Sequence, residues 1–200
     1  KKYRETVDPK SPEIVLLAPQ STDYPYYAVF GWVAAPGSNI AVPDDNTPWT
    51  LKSGGTLTPS HPITLEWNNG HGLVFTRTIT VDEQYMFNVS DTVKNTGATA
   101  ATLYPYAYVA RDGLPKTTHF WVLHEGFVGY AGGSAKYTKY DALKPDAPTQ
   151  NFESTGGWIG ITDKYWMASV IPPQNEKFSG SYTISKAGDA TAYQSDYRLD

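Results

Sequence analysis

Four histidines, His61, His71, His119 and His124, are the side chains here with the widest chemical range. Three of them could hold a zinc ion, which binds imidazole nitrogens in a tetrahedral set. His119 and His124 are five positions apart, however, and on a continuous strand they would face opposite sides. His124-Glu125 also lacks the second histidine of a metalloprotease helix, because Val128 stands in its place. These residues therefore read as surface or hairpin-end histidines, and no metal is expected. Gly132-Gly133-Ser134-Ala135-Lys136 has the look of a phosphate-cradling loop but not its Gly-Lys-Ser/Thr ending, so it reads as a turn. No Gly-x-Ser-x-Gly elbow occurs. Glu66, Asp82, Glu83, Asp91, Glu125 and Glu153 lie in or beside strand-like runs, and two facing carboxylates could work on a glycosidic bond. Asp82-Glu83 sits between two such runs and reads as a turn. No catalytic residue and no cofactor is assigned.

Aromatic side chains offer a different chemistry, that of contact. Tyr104, Tyr106 and Tyr108 alternate with small or apolar residues, which puts three rings on one face of one strand. Pro105 among them points to a sheet edge. Trp158 and Trp166 flank the turn Ile161-Thr162-Asp163-Lys164. Such rings could floor a ligand groove or a protein contact. The plainer alternative is an aromatic sheet core whose hydroxyls reach water.

The elements that must position these residues are strands. Fifteen tyrosines and six tryptophans in 200 residues suit pleated sheets, and every strand-like run is bounded by Gly, Pro, Asn or Asp. The runs are Ile14–Leu17, Tyr26–Val33, Ile63–Trp67, Leu73–Val81, Tyr85–Val93, Thr102–Ala110, Phe120–Leu123, Gly157–Ile161, Tyr165–Ile171 and Ser181–Ser185. Asn68-Asn69-Gly70-His71-Gly72 makes the clearest hairpin turn, since Asn and Gly accept positive φ. Residues 39–58 read as a long irregular connection, and Thr138–Leu143 as one helical turn at most. Arg77 stands among apolar residues on its face of the 73–81 run. This pattern predicts a single all-β domain over residues 1–200, built as a sandwich of antiparallel sheets.

Charge and length exclude several classes. Sixteen basic and twenty acidic side chains leave a net charge of −4 with no basic block, which argues against nucleic acid. No run reaches the roughly 18 apolar residues that span a bilayer. With no cysteine, disulfides and thiolate metal sites are ruled out. A start at Lys1-Lys2 without methionine leads us to expect an excised piece of a larger protein.

One set of motifs carries a resemblance. Leu123-His124-Glu125-Gly126-Phe127-Val128-Gly129, Lys136-Tyr137-Thr138-Lys139-Tyr140, the run from Gly156 to Trp166, and Ile171-Pro172 follow in order. With the earlier run Leu65 to Asp82, they resemble the large periplasmic domain of the YidC family of bacterial membrane protein insertases. The likeness covers residues 12–185. It implies a β-supersandwich similar to galactose mutarotase-like sugar-binding domains, at the periplasmic face of the inner membrane. It also implies a membrane-embedded parent that inserts and folds inner-membrane proteins, alone or with the Sec translocon and SecDF. The partners so implied are Sec components and nascent inner-membrane proteins. The insertion chemistry belongs to the transmembrane part of that family, and none of its residues is present here.

The same likeness raises two alternatives. One is a carbohydrate- or peptide-binding module floored by Tyr104, Tyr106, Tyr108, Trp158 and Trp166. The other is a mutarotase-type epimerase drawing on His61, His71 or His124 with Glu66 or Glu125. A shared fold does not carry a site with it, and the expectation is a non-catalytic domain.

Overall fold

The computed structural model describes residues 3–114, 124–142, 144, 149–187 and 190–200. His119 and the strand expected at 120–123 lie outside these. Among the described residues the first strands are β1 (Tyr26–Ala34), β2 (Thr50–Ser53), β3 (Ile63–Asn68), β4 (Leu73–Val81), β5 (Phe87–Asn95) and β6 (Leu103–Asp112). There follow β7 (Gly126–Ala131), β8 (Ser134–Lys139), a 3-10 turn at Tyr140–Ala142, and β9 (Gln150–Thr155). The last are β10 (Trp158–Thr162), β11 (Met167–Val170), β12 (Lys177–Ala187) and β13 (Ala190–Leu199). They form three sheets, ordered β1-β6-β13-β12-β9, β11-β10-β7-β8 and β2-β3-β4-β5. The fold is all-β and the pairings are antiparallel, as the alternating runs require.

The chain divides into two compact units, one of Lys1–Val29 with Tyr106–Asp200 and one of Phe30–Pro105. The first is a two-sheet sandwich. Along β13, Tyr193, Ser195, Tyr197 and Leu199 are buried while Gln194, Asp196 and Arg198 are not, the period of two expected of a half-covered sheet. Phe178, Tyr182 and Ile184 of β12 continue that inner face. Phe127, Ile159, Ile161 and Val170 of the other sheet are buried too, and the Phe127 ring stacks on Tyr182 at 4.7 Å. Phe127 is 0% exposed, so truncating it to alanine would leave a cavity costing about 3–5 kcal/mol.

The second unit is a meander whose central hairpin is locally encoded. Asn68 Oδ1 accepts from Gly70 N–H and Asn69 Oδ1 from His71 and Leu73 N–H, while Gly70 and Gly72 adopt positive φ. Leu73 and Phe75 of β4 are buried against Trp32, with Trp49, Trp67, Val93 and Leu103 packed around them.

Several expectations need correction. Ile14–Leu17 forms no strand, only the isolated bridges Arg4↔Glu13 and Ala18↔Tyr26 beside it. Residues 39–58 are not wholly irregular, since β2 pairs with β3 there. Tyr85 is no strand residue; at φ 66° it closes a turn in which Asp82 Oδ1 accepts from Gln84 and Met86 N–H. Pro105 does not mark a sheet edge, because β6 lies between β1 and β13. It falls one residue past Tyr106↔Arg198, the last pair of the β6–β13 ladder, where a missing N–H breaks nothing.

Candidate functional site

The tyrosines of β6 are divided between the units. Tyr106 and Tyr108 stand on the face opposite buried Ala107 and Val109, with parallel rings 6.2 Å apart, and Tyr27 meets Tyr108 edge-on. Across the ladder they face Arg198 and Asp196. Asp196 accepts from Ser181 Oγ (2.8 Å) and Gln194 Nε2 (3.1 Å), so a polar network borders the rings. Tyr104 is half-buried and belongs to the second unit. Trp158 opens β10 opposite Tyr130 of β7, and Trp166 closes the turn after β10, where its carbonyl accepts from Asp163 N–H. Both are half-buried, and both sit with the four-stranded sheet of the first unit, away from the tyrosine-bearing one.

A buried ion-pair cluster centres on Arg111 and Asp163. Arg111, at the end of β6 and 6% exposed, pairs through Nη1 with Asp163 and donates from Nε to Gly113 O at 2.8 Å. Tyr140 donates its hydroxyl to Asp163 Oδ1 at 2.8 Å, and Tyr26 donates to Ile161 O at 3.1 Å. The guanidinium also lies over the Tyr26 and Tyr140 rings. Burial pushes the Tyr26 and Tyr140 phenols up, Asp163 pushes them further, and Arg111 partly offsets both. Burial alone would lower the Arg111 pKa, but the Asp163 charge and then Tyr140 carry it above its ordinary value. With these bonds the cluster clasps the end of β6 to the β10–β11 turn. The only hint in sequence was a charged pair, Arg111-Asp112, continuing an apolar run.

In the second unit Arg77 forms a two-pronged pair with Asp91, Nε and Nη2 each 2.8 Å from a carboxylate oxygen. Nη2 also donates to Phe30 O, and the guanidinium lies 5.3 Å from the Trp32 and Trp49 ring centres. The odd residue of the apolar face is thus held by an ion pair, a backbone carbonyl and two aromatic rings. Beyond it the same face carries the cross-strand row Ile63↔Ile79↔Val89 and the pair Val81↔Phe87, none of them buried. The adjoining turn holds Tyr85 and Met86, 71% and 55% exposed. Exposed apolar side chains are not confined to this face, since Val7, Val15, Leu51, Tyr130 and Tyr137 among others are exposed too.

The other candidates are occupied locally. His61 Nδ1 bonds the Thr58 and Ser60 hydroxyls, and exposed His71 sits in the β3–β4 turn. His124 Nε2 bonds Phe127 O, whereas Glu125 Oε1 accepts from Lys164 N–H. Glu66 pairs with Lys52 at 3.0 Å. Gly132 and Gly133, both at positive φ, make the tight turn from β7 to β8.

A family model described as the YidC periplasmic domain matches residues 1–200. The chain belongs to the YidC periplasmic domain family. Relatives named membrane protein insertase YidC include that of Nitrobacter hamburgensis, 46% identical over 200 residues, which are 100% of this chain and 33% of that protein. The protein from Methylobacterium nodulans is 48% identical over 97% of this chain and 33% of its own length. That from Sinorhizobium medicae is 45% identical over 100% and 33%. The chain therefore spans about a third of the curated relatives it matches. As a YidC periplasmic domain it lies on the periplasmic side of the inner membrane. Among the described residues, the motifs behind the resemblance fall on the β3–β4 hairpin, on β7, β8 and the 3-10 turn after it, on β10 with its flanking turns, and just after β11.

Proposed function

We propose that residues 1–200 act as one non-catalytic periplasmic module of a membrane protein insertase. It assists insertion and folding of inner-membrane proteins by contacting Sec components, SecDF among them, and segments of nascent chains. Its membership of the YidC periplasmic domain family over the whole chain carries this reading. The open apolar rows of β3, β4 and β5 support contact with apolar client segments. The engagement of His124, Glu125 and Glu66 with other partners supports a role without chemistry. Co-purification of SecDF with the parent protein, with and without this module, tests the docking role. Recovery should fall when the module is removed; equal recovery would refute docking.

A second reading is favoured by the rings of Tyr27, Tyr106 and Tyr108 beside Ser181, Gln194 and Asp196. Stacked rings with hydroxyl, amide and carboxylate groups suit a sugar or an extended peptide. Calorimetric titration with a panel of oligosaccharides and extended peptides should show saturable heat for one class. A flat response throughout would dismiss it.

A further inference from the structure

Residues 3–18 form an arm bonded mainly to itself. Ile14 N–H donates to Tyr3 O (2.9 Å), Glu5 N–H to Pro12 O (3.1 Å), and Arg4 pairs with Glu13 (3.4 Å). Two backbone bonds between Ala18 and Tyr26 then join it to β1. At its start the Tyr3 ring stacks on Tyr165 at 4.8 Å and meets Trp166 edge-on at 5.5 Å. The seam between Ile14–Leu16 and Tyr26, Asp163, Tyr165 and Trp166 leaves about 30 Å³ of free space, room for a water or two. Nothing larger enters while the arm is down. Yet the arm is not core: Val7, Val15 and Leu17 are 104%, 68% and 46% exposed.

Beneath it lies an unusual group. Trp166 Nε1 is buried with no hydrogen-bond partner among the described residues. A buried indole N–H without an acceptor is unfavourable and calls for an explanation. Tyr3 meets the indole edge-on and supplies no hydrogen-bond acceptor to that donor.

We propose that the Tyr165–Trp166 corner is a receptor for an aromatic side chain on an extended peptide, and that this chain's own residues 3–18 fill it as a displaceable strap. Tyr3 is the plug. A competing peptide would place its ring where Tyr3 lies and a backbone carbonyl against Trp166 Nε1, which the strap leaves unmatched. The two ring contacts hold the strap weakly enough to exchange, since each aromatic pair adds only a small increment beyond burial.

Hydrogen exchange on the whole chain and its Tyr3→Ala variant tests the strap. The Glu5 and Ile14 amides should exchange at least tenfold faster in the variant, with β12 and β13 unchanged. A synthetic peptide of residues 3–18, added in trans to the variant, should change tryptophan fluorescence saturably; the same peptide carrying Tyr3→Ala should not. Unchanged exchange, loosening that spreads to β12 and β13, or a peptide that fails to bind the variant would each overturn the proposal. Tyr3→Phe guards against misfolding, because it keeps the ring and should retain the wild-type exchange pattern; if it loosens the arm as alanine does, the ring is not the plug.

Discussion

Replacing Asp163 with alanine should be among the most damaging single changes in the first unit. The side chains of Arg111 and Asp163 are only 7% and 14% exposed. Loss of the carboxylate strands the guanidinium away from water and removes the acceptor of the Tyr140 hydroxyl. Removing one partner of a buried pair costs about 3–5 kcal/mol, because the remaining charge keeps its desolvation penalty. In a chain of this length each kcal/mol moves the melting temperature by roughly 2–4 °C, so a fall of about 10 °C is expected. The pair itself is a different matter. An Arg111→Met/Asp163→Leu double replacement removes both charges and should recover most of the loss, since apolar substitutes for buried pairs are often neutral or better. Urea unfolding followed by tryptophan fluorescence would measure Asp163→Ala and all four corners of the cycle made by the wild type, Arg111→Met, Asp163→Leu and the double replacement. A loss below about 1 kcal/mol for Asp163→Ala, or a double replacement as costly as the two singles summed, would refute the reasoning.

Tyr182→Phe should stabilise the protein by about 1 kcal/mol, because the Tyr182 hydroxyl is buried without a partner among the described residues. Denaturant midpoints would show it, and a clear loss would mean that the hydroxyl is hydrogen-bonded. Alkaline conditions should destabilise the fold. Burial, with Asp163 for the first two, raises the Tyr26, Tyr140 and Tyr182 phenols above the usual 10. Their contribution is intact below pH 10 and is lost as pH climbs past it, because the unfolded chain ionises first. Phenolate absorbance from these three should appear together with unfolding; smooth ionisation in the folded protein would contradict this. Arg77→Lys should cost about 2 kcal/mol, since an ammonium cannot reproduce the two-pronged pair with Asp91 or the stacking on Trp32 and Trp49. An unchanged denaturation curve would show that charge alone suffices there.

Features set by neighbouring residues were open to reading from the chain. Alternation at 63–67 and 73–81 and the Asn-Gly turn between them mark the β3–β4 hairpin, because a hairpin is decided by its own few residues. β2, β7, β8, β9 and β13 carry no such local signal. Gly126 and Gly129 in β7 look like turn residues, but they are there so that the backbone can approach its neighbours. A side chain at Gly129 would lie 2.7 Å from both Trp158 O and the Tyr182 hydroxyl. β9, Gln150–Thr155, is polar at most positions and earns its place by pairing with β12, not by its own pattern.

The ordered motifs were enough to fix the family and, with the period-two pattern, an all-β antiparallel fold. Composition bounded the chemistry by leaving no thiol, no basic tract and no nucleophile motif. What the tertiary structure alone decided is which charged residues are buried and with whom. Arg111 and Asp163 are separated by 52 positions and Arg77 and Asp91 by 14, so even where local pattern marks an arginine among apolar residues it does not name its carboxylate. It also decided that Tyr3 lies against Tyr165 and Trp166, and that the tyrosines of β6 are shared between two units. The physical reason is common to all of these. Strand periodicity is a property of successive residues, whereas desolvation, ion pairing and ring stacking depend on partners that only chain folding brings within a few ångströms.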